Sequence, residues 1–479
     1  MYTPVLALLL SLSFCNAYKI LVYSPIFGYS HINFMGAIAD ALTEAGHNVT
    51  LLMPIMEIEQ QDKTGVKLTK NIIKIPPSSG AHDFLKRGKE IYSKLWNMEP
   101  SMLALMQMSQ NMTRLCTSQC EKIVSDASLL RRLKEEKFDL GIAEAFSVCG
   151  FGVFELANIP TSIATSASVY VDALSKAVGE PIAPSYVPAA MSAASDRMNF
   201  MERLINAIGV VLGQRFLEDV YEAETEVFRK RFGRHFKGWQ QLLSESSFVL
   251  TNANPYLDYP RPMLHKTIPI GGVAVFVGRN HNKLTQEWNE VLDERNRTVL
   301  VSFGSVARAI YMPHTYKKAL LKVFESMPDT TFIMKYEEKN SKIAAHLPNV
   351  HLSPWLPQNA LLADPRLTAF VTHGGLASTT ELAHQGNQPY CYTQNAKRLA
   401  EMLLSQPISA KELLVRHCEY AARFGRLPNL DPYGRQLSFV QYYLLDIIAS
   451  AIGVLLLITC AIFLLLRRCV SFAVKQKKD

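Results

Sequence analysis

The sequence predicts an α/β protein built from two doubly wound, Rossmann-like halves that face a cleft, with one apolar helix near its C-terminus. Three observations carry this. From residue 18 onward, short apolar runs alternate with stretches of helical period, the pattern of a parallel sheet covered by helices on both faces. That series restarts after a stretch rich in Pro and Gly at 252–272. Residues 447–466 form an uncharged run of twenty, long enough to cross a hydrocarbon core of about 30 Å at ~1.5 Å per residue.

Composition is consistent with this class. Of 479 residues, 48% are hydrophobic and 19% charged, which excludes a disordered, collagen-like or low-complexity chain. A mean hydropathy of +0.05 directs attention to a few membrane-like segments rather than a polytopic bundle. The net charge of +8 permits a nucleic-acid partner. Lys and Arg are nevertheless dispersed with no basic-aromatic block, so no nucleic acid is expected.

Taken in order, residues 1–17 carry an apolar run and end in Cys15-Asn16-Ala17, which predicts a secretory signal peptide cut near Ala17-Tyr18. A strand at 20–24, a helix at 31–45 ended by Gly46 and a strand at 49–53 open the first domain, 18–252. Further strands are expected at 140–143, 161–164 and 248–251. Residues 253–272 read as a linker. The second domain, 273–438, should contain strands at 298–303, 331–334, 350–352 and 369–371. A membrane helix at 447–466 follows Tyr442 and Tyr443 and precedes Arg467 and Arg468. The positive-inside bias puts the tail, 467–479, in the cytosol and makes this a single-pass type I protein. Lys475 and Lys477 stand five and three positions from the end, resembling a signal that returns type I proteins to the endoplasmic reticulum.

Five cysteines fall in the part expected to be luminal: Cys116, Cys120, Cys149, Cys391 and Cys418. An odd number in an oxidising compartment leaves at least one unpaired. Cys116 and Cys120, one helical turn apart, suit neither a relaxed disulfide with each other nor a zinc site without His partners. Asn48, Asn111 and Asn296 open glycosylation sequons, of which Asn111 and Asn296 are expected to be accessible.

The chemistry should lie where strand carboxyl ends face the cleft. No Gly-x-Gly-x-x-Gly follows the first strand and no Walker loop occurs, which argues against dinucleotide or ATP chemistry. The expected strand 369–371 runs into Thr372-His373-Gly374-Gly375-Leu376-Ala377-Ser378 and then a helix through Glu381. Paired glycines opening a helix let free N–H groups approach a phosphate, helped by the helix dipole. Just upstream, Trp355-Leu356-Pro357-Gln358 offers an aromatic face and an amide, and Phe303-Gly304-Ser305 ends the first strand of this half. Glu381 could accept from a sugar hydroxyl.

Residues Trp355 through Glu381, with Phe303-Gly304-Ser305 before them, resemble the donor signature of the UDP-glycosyltransferases, the UDP-glucuronosyltransferase superfamily. The resemblance extends over the whole luminal chain and the C-terminal anchor. It implies a GT-B fold, with an N-terminal acceptor domain and a C-terminal domain for the nucleotide sugar. It implies that Trp355 and Gln358 bind uracil and ribose, and that Glu381 binds ribose hydroxyls. Ser305, His373 and the backbone at Gly375, Ala377 and Ser378 would hold the diphosphate. It also implies that His31, in the loop after the first strand, takes the acceptor's proton, and that Glu144 holds the resulting imidazolium. Imidazole suits this role because its ordinary pKa of ~6.5 lies near the operating pH.

The expected reaction is single-displacement, inverting transfer of glucuronic acid or glucose from UDP to a hydroxyl of a small lipophilic acceptor. Helices at 91–124 and 198–232 would shape the acceptor pocket. No Asp-x-Asp occurs in the chain, so neither a metal nor another cofactor is expected. The partners expected are a UDP-sugar, the acceptor, the membrane, and a homo- or hetero-oligomer with family members.

The sequence departs from the family after Gly386. There the family continues into an apolar strand and an Asp-Gln pair that binds the sugar hydroxyls. This chain instead reads Asn387-Gln388-Pro389-Tyr390-Cys391-Tyr392-Thr393-Gln394-Asn395, followed by residues resembling a segment several dozen positions further on. More than one βα unit is therefore expected to be missing. The donor sheet would then be short of a strand, with an exposed edge. Two readings follow: an incomplete copy or splice form of an ordinary transferase, or an inactive, membrane-anchored partner subunit.

Overall fold

The computed structural model describes residues 17–97, 102–190, 192–277, 282–385 and 393–476. The expected signal-peptide run, the junction from Gly386 to Tyr392 and Cys391 within it lie outside them.

Seven parallel strands form the first sheet, in the order β3-β2-β1-β4-β5-β6-β7. They are β1 (Lys19–Tyr23), β2 (Asn48–Pro54), β3 (Asn71–Ile75), β4 (Leu140–Glu144), β5 (Ser162–Ser166), β6 (Phe248–Thr251) and β7 (Thr267–Pro269). Strands β1 and β4 to β6 are covered on both faces, so they read as unbroken apolar or small-residue runs rather than alternating ones. Strand β7 lies inside the stretch expected to be linker and pairs with β6. Its three residues, Thr267-Ile268-Pro269, are too short and too Pro-bound to stand out as a strand.

Helices α1 (Tyr29–Glu44), α2 (Ser79–Trp96), α3 (Met102–Ser125), α4 (Ala127–Glu135), α5 (Cys149–Leu156), α6 (Asp172–Val178), α7 (Phe200–Phe232) and α8 (Trp239–Ser244) wrap this sheet. On one face Leu21, Tyr23 and Val249 pack with Phe151, Tyr221 and Phe228 from α5 and α7. On the other, Ile20, Val22 and Ile142 pack with Phe34 and Ile38 of α1. A disulfide between Cys120 and Cys149 joins α3 to the start of α5, while Cys116 is buried and free. The start of α5 is also capped from within the core. Glu224, 1% exposed, accepts the hydroxyl of Ser147 and the N–H groups of Val148 and Cys149 at 2.7–3.2 Å.

The second sheet has four parallel strands in the order β10-β9-β8-β11. These are β8 (Arg297–Ser302), β9 (Thr330–Lys335), β10 (Val350–Ser353) and β11 (Leu367–Thr372), and β9 is buried throughout. Strand β11 is an outer strand. No residue in it is fully buried, and Val371 is 41% exposed. Around this sheet lie α9 (Gln286–Asp293), α10 (His314–Glu325), α11 (Gln358–Ala363), α12 (Leu376–Gln385) and α13 (Thr393–Leu404).

The next helix, α14 (Ala410–Phe424), falls in the stretch expected to belong to the second domain but packs elsewhere. Its buried residues Leu414, Cys418 and Ala421 join the core of the first sheet, beside Ile142 and Leu250. The apolar spacing i, i+4, i+7 supplies the stripe that covers that face.

Residues from Asp431 form a separate unit. In it Ser438 and Gln441 make a capping box for α15 (Phe439–Tyr442), and α16 (Leu445–Gln476) follows. Within α16, Leu445–Ser471 is the one helix among the described residues long and apolar enough to cross a membrane.

Asn296 is exposed in the turn before β8, whereas Asn111 is half-buried within α3 and accepts from Arg87 at 3.1 Å. Asn48 is exposed at the first position of β2, contrary to the burial expected there, because the strand dips into the core only from Val49.

Candidate functional site

A cleft cavity of about 690 Å³ runs between the carboxyl ends of the two sheets. It brings together His31 from the first half with Ser305, Trp355, Gln358, His373, Gly375, Ala377, Ser378 and Glu381 from the second. Glu144 stands directly behind His31.

His31 is the third residue of α1, in its first turn, rather than in the preceding loop. The turn begins at Gly28, whose φ of 63° lies in the left-handed region. A Cβ there would stand 3.2 Å from Cδ2 of the His31 ring. Nδ1 of His31 lies 2.8 and 2.9 Å from the two carboxylate oxygens of Glu144. Glu144 ends β4, is 9% exposed, and also accepts the N–H of Ala167 at 3.1 Å. Burial alone would lower the His31 pKa, but the charge and hydrogen bond of Glu144 outweigh it, and the pKa is raised. With Nδ1–H committed to Glu144, Nε2 is left to accept a proton.

In the second half, His373 follows β11 and its ring sits between two glycines. A Cβ on Gly304 would come within 2.7 Å of the ring and one on Gly375 within 2.5 Å, so a larger residue at either place would displace the ring. Burial, and then the charge of Lys335, lower the His373 pKa. That holds the ring neutral, with one N–H to donate. Lys335, at the end of β9, donates to the Gly304 carbonyl at 2.6 Å. Its own pKa is lowered, chiefly by burial. Lys67 and Lys283 also line the cavity, against the single carboxylate of Glu381, so the cavity favours an anion.

Gln358, the first residue of α11, donates through Nε2 to Ser378 Oγ at 3.0 Å and to Glu381 at 2.7 Å. This bond pins Glu381, whose pKa burial raises. Trp355 is 43% exposed. Tyr29 meets it edge-on at 4.6 Å from the other half, and the ammonium groups of Lys63 and Lys335 lie 4.4 and 5.3 Å from its ring centre.

Tyr29, Lys63, Lys67 and Lys335 were not among the residues expected from sequence. Tyr29 had one signal, its position two residues before His31. The lysines had none, because a charged residue in a loop or at a strand end is ordinarily a solvated one.

A family model described as "UDP-glucoronosyl and UDP-glucosyl transferase" matches residues 18–388 and, separately, 387–479. The break coincides with the departure after Gly386. The Caenorhabditis elegans protein ugt-48, named as a UDP-glucuronosyltransferase, is 25% identical over 97% of this chain and 97% of its own length. A rat protein named 2-hydroxyacylsphingosine 1-beta-galactosyltransferase is 27% identical over 100% of this chain and 93% of its own. Among solved structures, a UDP-glucosyltransferase from Polygonum tinctorium aligns with a TM-score of 0.49 and 13% identity, covering 85% of this chain and 98% of that one. The two facing parallel sheets are the GT-B arrangement, and the chain belongs to the UDP-glucoronosyl and UDP-glucosyl transferase family.

Proposed function

We propose that this protein transfers glucuronic acid or glucose from UDP to a hydroxyl of a small lipophilic acceptor, with inversion and without a metal. The carrying observation is the bidentate contact of His31 with Glu144 at the cleft. In this reading Nε2 of His31 takes the acceptor proton as the acceptor oxygen attacks the anomeric carbon. The bond from that carbon to the UDP oxygen breaks, and the positive charge formed on His31 is held by Glu144. UDP leaves with its charge met by the N–H groups that open α12, by His373 and by Lys335. Trp355 and Gln358 serve uracil and ribose, Glu381 the ribose hydroxyls, and Ser305 the diphosphate. Helices α2, α3 and α7 shape the acceptor side. The anchor would be Leu445–Ser471, with the catalytic region in the lumen of the endoplasmic reticulum.

A second reading is favoured by one observation, the break of the family match at residues 387–388. The shortened chain would keep the nucleotide site and lack the residues that hold the sugar, and so act as an inactive partner subunit.

One experiment separates them. UDP binding by calorimetry and UDP release from UDP-glucuronic acid and UDP-glucose are measured on the full chain and on His31→Gln, with a panel of phenolic and aliphatic alcohols. Transfer lost in His31→Gln with UDP binding retained supports the enzyme. UDP binding without transfer in either protein supports the partner subunit.

A further inference from the structure

Arg308 follows β8, in the same loop as Gly304 and Ser305, and crosses to the first half. Its guanidinium donates to Glu57 at 2.7 Å and also to Glu59. The Arg308 side chain is 12% exposed and that of Glu57 is 6%. Tyr92 of α2 lies under the guanidinium, 4.5 Å from ring centre to Cζ, and donates its hydroxyl to Glu57 at 3.1 Å. Trp96 of the same helix donates its indole N–H to the Arg308 carbonyl at 2.9 Å. The second oxygen of Glu57 accepts the N–H of Gly28 at 3.1 Å, and Gly28 is the left-handed residue from which the His31 turn begins.

A buried carboxylate is thus shared between an arginine of the donor half and the backbone that sets the angle of the base. A buried ion pair of this kind contributes little net stability, because desolvation offsets most of its attraction. Breaking one side, however, leaves the other charge buried and uncompensated, so the pair holds the two halves in one relative position.

We propose that Arg308 and Glu57 are positioning residues that tie closure of the donor half to the placement of His31. This rests on the glycosyl-transfer reading for its catalytic consequence, while its mechanical part stands independently. When the halves close, Arg308 fixes Glu57, Glu57 fixes the Gly28 N–H, and the His31 ring is presented to the cleft. When they part, Glu57 loses its cation and the turn loses its support.

The test uses the full chain in nanodiscs with Cys391, Cys460 and Cys469 replaced by Ser and spin labels at the exposed positions Lys122→Cys and Lys322→Cys. Electron–electron double resonance should give one narrow distance for the parent. Arg308→Ala and Glu57→Ala should give a broader, longer distribution, and Arg308→Lys one in between. In parallel, Arg308→Ala should lower kcat about 10- to 100-fold with less than a threefold change in donor KM. It should also move the acid limb of the pH profile downward as the His31–Glu144 contact loosens.

Unchanged distance distributions in both alanine variants overturn the proposal. So does a lowered Tm accompanied by parental kcat and an unmoved acid limb. Should the parent transfer no sugar, the enzyme reading fails while the distance measurement still decides the mechanical part.

Discussion

Nδ1 of His31 sits within 2.9 Å of both carboxylate oxygens of Glu144, across 113 residues of sequence. The two are brought together because β1 and β4 are adjacent parallel strands, with Tyr23 level with Ala143. Helix α1 starts just beyond the end of one, and Glu144 closes the other. Removing either group should therefore remove the same function. His31→Ala and Glu144→Ala are each expected to lower transfer by about 10²–10⁴-fold while leaving UDP affinity within twofold. Single-turnover rates beside UDP calorimetry check this.

The pH profile follows from the same contact. A base must be neutral to accept a proton, and Glu144 raises the His31 pKa above its ordinary 6.5. The rate should fall as pH drops through that raised value. In Glu144→Gln the charge is gone and burial remains, so the acid limb should move to lower pH. A limb unmoved by this substitution would show that another group titrates.

Lys335 was invisible in the sequence yet lines the cleft from the second half, bonded to Gly304 and close enough to His373 to lower its pKa. Lys335→Ala should weaken UDP binding about tenfold, the size of one charge-assisted hydrogen bond. UMP, which lacks the second phosphate, should lose less. Isothermal calorimetry with both nucleotides distinguishes a phosphate contact from general loosening.

Much of the fold could be read from the sequence because its strands are buried on both faces and leave continuous apolar runs, as in Lys19-Ile20-Leu21-Val22-Tyr23. The residues expected on the donor side could be named together because a long motif occupies consecutive positions from Trp355 to Glu381, and the fold lines the cleft with them. What stayed hidden was whatever depends on contacts between distant segments. Strand β7 owes its existence to hydrogen bonds with β6. Lys63 of the first half reaches Trp355 only because the halves meet. Glu57 is an unremarkable acidic residue until Arg308 arrives from 251 positions away.

Glu224 gives a prediction about stability. Burial raises its pKa from 4.5 to about 7, although its hydrogen bonds to Ser147, Val148 and Cys149 work in the opposite direction. The folded state holds the proton more tightly than the unfolded one. Its contribution is full below pH 4.5 and is lost as pH rises through about 7. The loss at alkaline pH amounts to roughly 3 kcal/mol at ~1.36 kcal/mol per unit. Denaturant titrations from pH 5 to 8.5 should show this slope in the parent and a flatter one in Glu224→Gln.

The Cys120–Cys149 bridge closes a loop over a separation of 29 residues. Replacing both cysteines with Ala should lower stability by about 2–4 kcal/mol with little change in UDP affinity, since neither residue lines the cleft. Thermal melts with and without reductant provide the check.

The return of α14 to the first sheet has a consequence for how this chain is made. A ribosome delivers all seven strands of that sheet by residue 269, but the hydrophobic face awaiting Leu414, Cys418 and Ala421 stays uncovered until about 150 further residues have been synthesised. During that interval the nascent first half is an unfinished module with an open apolar patch. The first half is therefore finished only by a helix encoded after the second, and a product stopped before residue 410 should keep its patch open.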